Sequence, residues 1–124
     1  MTFRYARPDD SSLLAELNHQ LIRDEGHRNR LTVPELEQRM SGWLSSEYRA
    51  VLFEDSWETV AYALFHEKPE EIYLRQLFVV RHRRRQGLGR EAVGILRSQS
   101  GRKPSDLPWR FWLRTRVGWR SGAL

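Results

Sequence analysis

The sequence predicts an α/β fold, and three observations carry that expectation. Leu13, Leu14, Leu17, Leu21 and Ile22 recur at helical spacing in a polar background. Two apolar, β-branched runs, Tyr48 to Glu54 and Thr59 to His66, flank a polar tip. The most strand-like stretch, Ile72 to Val80, passes through a basic, glycine-containing turn into a further amphipathic segment.

In chain order, Thr2 to Ala6 alternates with Phe3 and Tyr5 on one face and reads as a strand. Arg7-Pro8-Asp9-Asp10-Ser11 offers a turn with N-cap chemistry, so a helix runs from Asp10 to about Glu25, ended by Gly26. Thr32 caps a second helix with Pro34 just inside its start and Leu36, Met40, Trp43 and Leu44 as its apolar stripe. Asp55-Ser56-Trp57-Glu58 joins the next two strands as a hairpin, and Lys68-Pro69-Glu70-Glu71 turns the chain into the strand that should lie centrally in the sheet. The helix after Gly87-Leu88-Gly89 carries Val93, Ile95 and Leu96. Beyond the loop at 98–104, Trp109, Phe111, Leu113 and Thr115 alternate as a last strand, and Gly118 to Leu124 has no assignable pattern.

A length of 124 residues fits one domain spanning 1–124. The absence of cysteine excludes disulfides and thiolate chemistry, and points to a reducing cytoplasm. No apolar run is long enough to span a membrane. The net charge of +5 is unevenly placed: residues 1–74 carry 8 basic and 14 acidic side chains (net −6), and residues 75–124 carry 13 basic and 2 acidic (net +11). A cationic second half calls for a polyanionic partner, whether nucleic acid, a phosphorylated cofactor or an acidic membrane surface.

The turn between the central strand and the third helix selects among these. At a helix N-terminus several backbone N–H groups lack helical partners and the helix dipole adds positive charge, a combination that receives phosphate. Gly87 and Gly89 sit where that helix opens, with Arg81, Arg83, Arg84, Arg85 and Arg90 around them. Neither a Walker loop nor a dinucleotide fingerprint is present. An isolated arginine run reads as a solvated surface or a nucleic-acid face, but its place at a two-glycine strand-to-helix turn favours a cofactor cradle.

Arg84-Arg85-Gln86-Gly87-Leu88-Gly89 resembles the Arg/Gln-x-x-Gly-x-Gly/Ala signature of the GNAT acetyltransferases. The preceding Tyr73 to Val80 and the following Arg90 to Leu96 look like that family's central strand and pyrophosphate-binding helix, and residues 2–98 are similar to its element order. The resemblance implies a mixed, mostly antiparallel sheet flanked by helices. It implies acetyl-CoA as co-substrate, without a metal, and direct attack by a primary amine, on a small molecule or a protein, in a ternary complex. Pantetheine would pair with the backbone of Leu77 and Val79 around Phe78, while Arg84, Arg85, Gln86, Gly87, Leu88, Gly89 and Arg90 surround the pyrophosphate. An N–H near Val79 would stabilise the oxyanion.

The base is open among several groups. Glu71, Tyr73 and Arg75 share one face of the strand by alternation. The histone-acetylating members resembled here place glutamate at the position of Tyr73, which leaves Glu71 as first candidate, then His27 and Glu25. By the resemblance the segment 24–29 borders the acceptor pocket, with Asn18, Glu25, His27 and Arg75 as substrate-side residues. The family normally continues with a strand, a helix and a final hairpin, whereas 26 residues follow Ser98, enough for one strand and little else. The expectation is a C-terminally shortened relative with impaired or partner-dependent catalysis, its last strand seeking a second copy. Two other readings stand beside the enzyme: a silent CoA-binding regulator, and a basic nucleic-acid-binding module using the C-terminal arginines and tryptophans.

Overall fold

The computed structural model describes residues 1–24, 31–68 and 72–98, and the backbone alone of residues 99, 109–115 and 118–123. The order is β1 (Thr2–Tyr5), α1 (Ser11–Asp24), α2 (Val33–Leu44), β2 (Tyr48–Asp55), β3 (Glu58–Glu67), β4 (Ile72–Val79), α3 (Leu88–Gln99), β5 (Trp109–Thr115) and β6 (Gly118–Ala123). One sheet contains the strands in sequence order, antiparallel throughout except for the parallel β4–β5 pair. Mixed and mostly antiparallel, it meets the expectation, and β4 is internal to it.

The sheet is covered on both faces. α2 reaches one face, where Trp43 packs against Tyr48, and α1 lies beside α2. α3 covers the other, with Gly89 against Val79. That double cover is why Val60 to Phe65 of β3 is buried at every position, an apolar run rather than an alternation. α1 buries Leu14, Leu17, Asn18 and Ile22, and α3 buries Leu88, Ala92 and Leu96, a seam at i, i+4 and i+8. Of the apolar residues expected on this helix, Leu96 is buried, and Val93 and Ile95 are half-buried.

Local chemistry sets the element ends. Thr32 caps α2 reciprocally with Glu35: the Thr32 N–H donates to Glu35 Oε1 at 3.0 Å, and the Glu35 N–H to Thr32 Oγ1 at 3.4 Å. Ser56 and Trp57 make the hairpin tip with φ of 53° and 68°, leaving the Trp57 indole fully exposed. Arg4 ties β1 to β2 and to the start of α1, donating to both Asp10 oxygens at 2.8 and 2.9 Å and to Glu54 at 3.0 Å.

The C-terminal segment departs from expectation. It supplies two strands: β5 pairs with β4 on one side and β6 on the other, so the free edge belongs to β6. A two-strand ribbon needs few residues when it can add to an existing sheet edge, which a strand-by-strand propensity reading does not weigh. No helix among the described residues is long and apolar enough to cross a membrane.

Candidate functional site

The site grows from one irregularity in β4. Leu64 pairs with Gln76 but Phe65 pairs with Leu74, so Arg75 is an extra residue on β4. Such a bulge bends the strand and adds twist. β4–β5 pairing is confined to Ile72–Leu74 opposite Trp109–Phe111, and it stops one residue before the bulge. From Arg75 onward the two parallel strands separate.

Hydrogen-bond parity shows which main-chain groups this separation leaves free. The Val80 N–H donates to the Val60 carbonyl at 2.9 Å. Antiparallel alternation therefore turns the Phe78 main chain toward Tyr62 of β3, and turns the N–H and C=O of Leu77 and Val79 toward the open edge. These are the two residues whose backbone the family resemblance implicates.

The edge runs into the glycine turn. The Glu91 N–H donates to the Gly87 carbonyl at 3.0 Å as the first bond of α3, so the Leu88, Gly89 and Arg90 N–H groups precede the intrahelical ladder. Gly87 has φ of 76° and Arg85 has φ of 63°. A Cβ on Gly87 would meet no atom within 4 Å among the described residues beyond its chain neighbours, so the space above the turn is open to them.

The structure separates arginines that the sequence presents as one run. Arg83 is bound to Asp55, to Glu58 at 3.4 Å and to Gln86 at 3.1 Å. The Arg84 Nε donates to the Val79 carbonyl at 2.9 Å and its Nη2 to Asp24 at 2.6 Å, with the guanidinium 5.4 Å from the Phe78 ring. Arg81, Arg85 and Arg90 have no carboxylate partner among the described residues. A cleft of about 380 Å³ between the C-terminal end of α1 and the open end of β4 is lined by Leu21, Asp24, Leu77, Phe78, Val79 and Arg84.

On the α1–α2 face, the bulge places Tyr73, Arg75, Gln76 and Phe78 on one side of β4, whereas strict alternation would have continued from Tyr73 and Arg75 to Leu77 and Val79. Tyr62 donates its hydroxyl hydrogen to Gln76 Oε1 at 2.8 Å beneath the helices. Arg39 Nη2 donates to Asn18 Oδ1 at 2.8 Å, and its guanidinium lies 4.7 Å from the centre of the Trp43 ring. Arg75 lies 4.8 Å from that same ring centre and donates to the Tyr48 hydroxyl at 3.3 Å. Burial, with the charge of Arg75, holds Arg39 below its ordinary pKa, and burial raises the Tyr73 phenol.

Of the expected site residues, Leu77, Phe78, Val79, Arg84, Arg85, Gln86, Gly87, Leu88, Gly89 and Arg90 line the open strand end and the turn that follows it. Asn18 and Arg75 belong to the cluster under α1 and α2, with Tyr73 beside Arg75. Glu25, His27 and Glu71 lie outside the described residues. Arg39, Trp43 and Gln76 lie on this same face, and the sequence reading did not assign them to a site. Trp43 and Arg39 are one helical turn apart, a spacing that carries a signal for Arg–aromatic pairing, but the bulge that recruits Gln76 has no sequence mark.

A parallel strand pair that splays after Leu74, backbone groups facing the gap and a glycine turn opening the crossover helix together define the GNAT acetyltransferase fold, which this chain has. An acetyltransferase from Thermus thermophilus matches it with a TM-score of 0.70 and 16% identity over all of this chain and 98% of its own. A possible acetyltransferase from Clostridium difficile 630 matches at a TM-score of 0.74 and 15% identity, covering 93% of this chain and 80% of that one. A predicted acetyltransferase from Clostridium acetobutylicum, solved with acetyl-CoA, matches at 0.67 and 16% identity over 94% and 82%. No family model and no curated protein matches the sequence.

Proposed function

We propose that this chain, as one domain, is an N-acetyltransferase that moves acetyl from acetyl-CoA to a primary amine. The observation that carries the reading is the run of outward-facing Leu77 and Val79 backbone that leads directly into the Gly87 turn. A linear ligand with amides at one end and a pyrophosphate at the other is complementary to that sequence of groups. Arg81, Arg85 and Arg90, which have no carboxylate partner among the described residues, supply charge for the pyrophosphate end. One adjustment is needed: Arg84 Nε already occupies the Val79 carbonyl, leaving the Val79 N–H and the Leu77 groups for the thioester arm.

In the reaction the amine nitrogen attacks the thioester carbonyl, a C–N bond forms and the C–S bond breaks. The nitrogen loses a proton to a base, and the leaving thiolate takes one up as CoA-SH. On this reading the Val79 N–H stabilises the oxyanion. Glu71, then His27 and Glu25, are the candidate bases. Tyr73, with a phenol held neutral by burial, suits donation of a proton to the thiolate.

The free edge of β6 supports a dimer in which a second copy extends the sheet, and the absence of cysteine supports a cytoplasmic setting. Calorimetric titration with acetyl-CoA, followed by thiol release on an amine panel, tests the reading. Binding with turnover supports it, binding without turnover on any amine assigns a CoA-binding regulator, and no binding rejects both. Oligonucleotide binding that weakens steeply with salt, without acetyl-CoA binding, would assign a nucleic-acid module instead. Light scattering of the full chain tests the dimer.

A further inference from the structure

The cluster under α1 and α2 has an unusual charge balance. Arg39 and Arg75 both approach Trp43, so their guanidinium carbons are no further apart than the sum of their 4.7 and 4.8 Å distances to its ring. No carboxylate pairs with either among the described residues, and Glu47 is engaged by His66 at 2.7 Å. Two cations this close repel unless an anion lies between or beside them. Asn18 is fully buried, its Oδ1 taken by Arg39, and its Nδ2 has no partner among the described residues; the Arg39 Nε is likewise buried and unsatisfied among them. Buried donors without acceptors are destabilising in a finished core, and these two belong to the pair of side chains joined by the Asn18–Arg39 hydrogen bond. A planar anion beside both guanidiniums relieves their repulsion, and guanidinium forks match a carboxylate in geometry.

We infer that the amine acceptor of this chain also carries a carboxylate, and that Arg39 and Arg75 hold that carboxylate beside Trp43, with Asn18 Oδ1 fixing the Arg39 guanidinium from beneath. That the bound molecule is the acceptor rests on the acetyl-transfer reading; the carboxylate site itself does not. Arg75 leaves β4 one residue past the last pair with β5 and reaches over Trp43 and Tyr48, so an anion held by its guanidinium lies on the α1–α2 face of the strand whose open edge begins at that residue. An α-amino acid, an ω-amino acid or the end of an acidic peptide has the required chemistry.

The test uses the full chain, with and without CoA, in ligand-observed saturation-transfer NMR. L-Alanine, β-alanine and L-glutamate are compared with L-alaninamide, β-alaninamide and the diamide of glutamate, and phosphoethanolamine is included as a phosphate-bearing amine. At least one acid should bind about tenfold or more tightly than its amide, as loss of a charge-assisted pair implies. Arg75→Gln, at an exposed position, should remove that preference while acetyl-CoA titration gives an unchanged affinity. Arg39→Gln should act in the same direction, and Arg75→Gln decides the matter where the half-buried Arg39 variant fails to fold. Equal binding of acids and amides, no binding of any acid, or an acid preference that survives Arg75→Gln overturns the inference. So does phosphoethanolamine outbinding every carboxylate. Carboxylate binding that persists in a chain unable to bind acetyl-CoA defeats the acetyl-transfer reading and leaves the carboxylate site standing.

Discussion

The Arg84 guanidinium donates to the Val79 main-chain carbonyl at 2.9 Å and to Asp24 at 2.6 Å, strapping the first arginine of the glycine turn across the open end of β4 to the end of α1. The first side chain of the signature is therefore a structural strap with its charge already answered. This divides the basic turn into arginines that hold the cleft together and arginines that remain free for a ligand.

Single substitutions separate the two groups. Arg85→Met or Arg90→Met should weaken acetyl-CoA binding about tenfold, the loss of one charge-assisted contact. Arg83→Met, removing a cation already paired with Asp55 and Glu58, should change that affinity less than about threefold while lowering the melting temperature. Isothermal calorimetry and thermal melts on the same samples check both.

Gly87 offers a graded test. Gly87→Ala should cost about 1 kcal/mol of stability, because a Cβ at φ of 76° is strained although it meets no neighbour within 4 Å. Gly87→Glu should abolish acetyl-CoA binding by placing a carboxylate at the anion position. Unchanged affinity in a folded Gly87→Glu protein would remove the pyrophosphate from this turn.

Tyr73→Phe should lower kcat by about 10²-fold with acetyl-CoA affinity preserved, if the phenol supplies the thiolate proton. Burial raises its pKa above the ordinary 10.0, so the acid form persists across neutral pH and the basic limb of the kcat profile should lie above that value. A rate equal to that of the parent protein assigns the proton to another donor.

Acid sensitivity should centre on Asp10. The Arg4 side-chain hydrogen bonds hold its carboxyl below the ordinary 3.8, so it stabilises the fold fully above that value and the contribution is lost as pH falls through the lower, folded pKa. Asp10→Asn should therefore narrow the difference in urea midpoint between about pH 5 and about pH 2. The Arg4 side chain is 44% exposed and screened by solvent, so the effect at neutral pH should be no more than about 1 kcal/mol.

Tyr62→Phe should destabilise by about 1–2 kcal/mol, since it removes a buried hydroxyl that donates to Gln76 at 2.8 Å. Denaturant titration checks the magnitude.

Much of this architecture is legible in the residues. Helical leucine spacing marks α1, Thr32 and Pro34 mark the start of α2, and Gly87-Leu88-Gly89 after an apolar strand marks the turn that opens α3. Each is a local pattern within one turn or one strand. Two elements escape such reading. β6 has little strand propensity of its own, with Gly118, Ser121 and Gly122 among its residues, and is recruited by pairing with β5. The bulge at Arg75 comes from how two strands pair, so alternation along β4 alone points to the wrong companions for Tyr73 and Arg75.

The sequence by itself determined the α/β class, the order of elements from β1 to β5 and the place of the glycine turn that opens α3, because helical period, strand alternation and glycine at a helix start are written in consecutive residues. Only the tertiary structure decided which arginines stay free, which backbone groups face the gap, and that Asn18 and Arg39 meet beside the Trp43 ring that Arg75 also approaches. Those outcomes depend on contacts between residues distant in the chain, such as Arg84 with Asp24, and no local pattern encodes a distance.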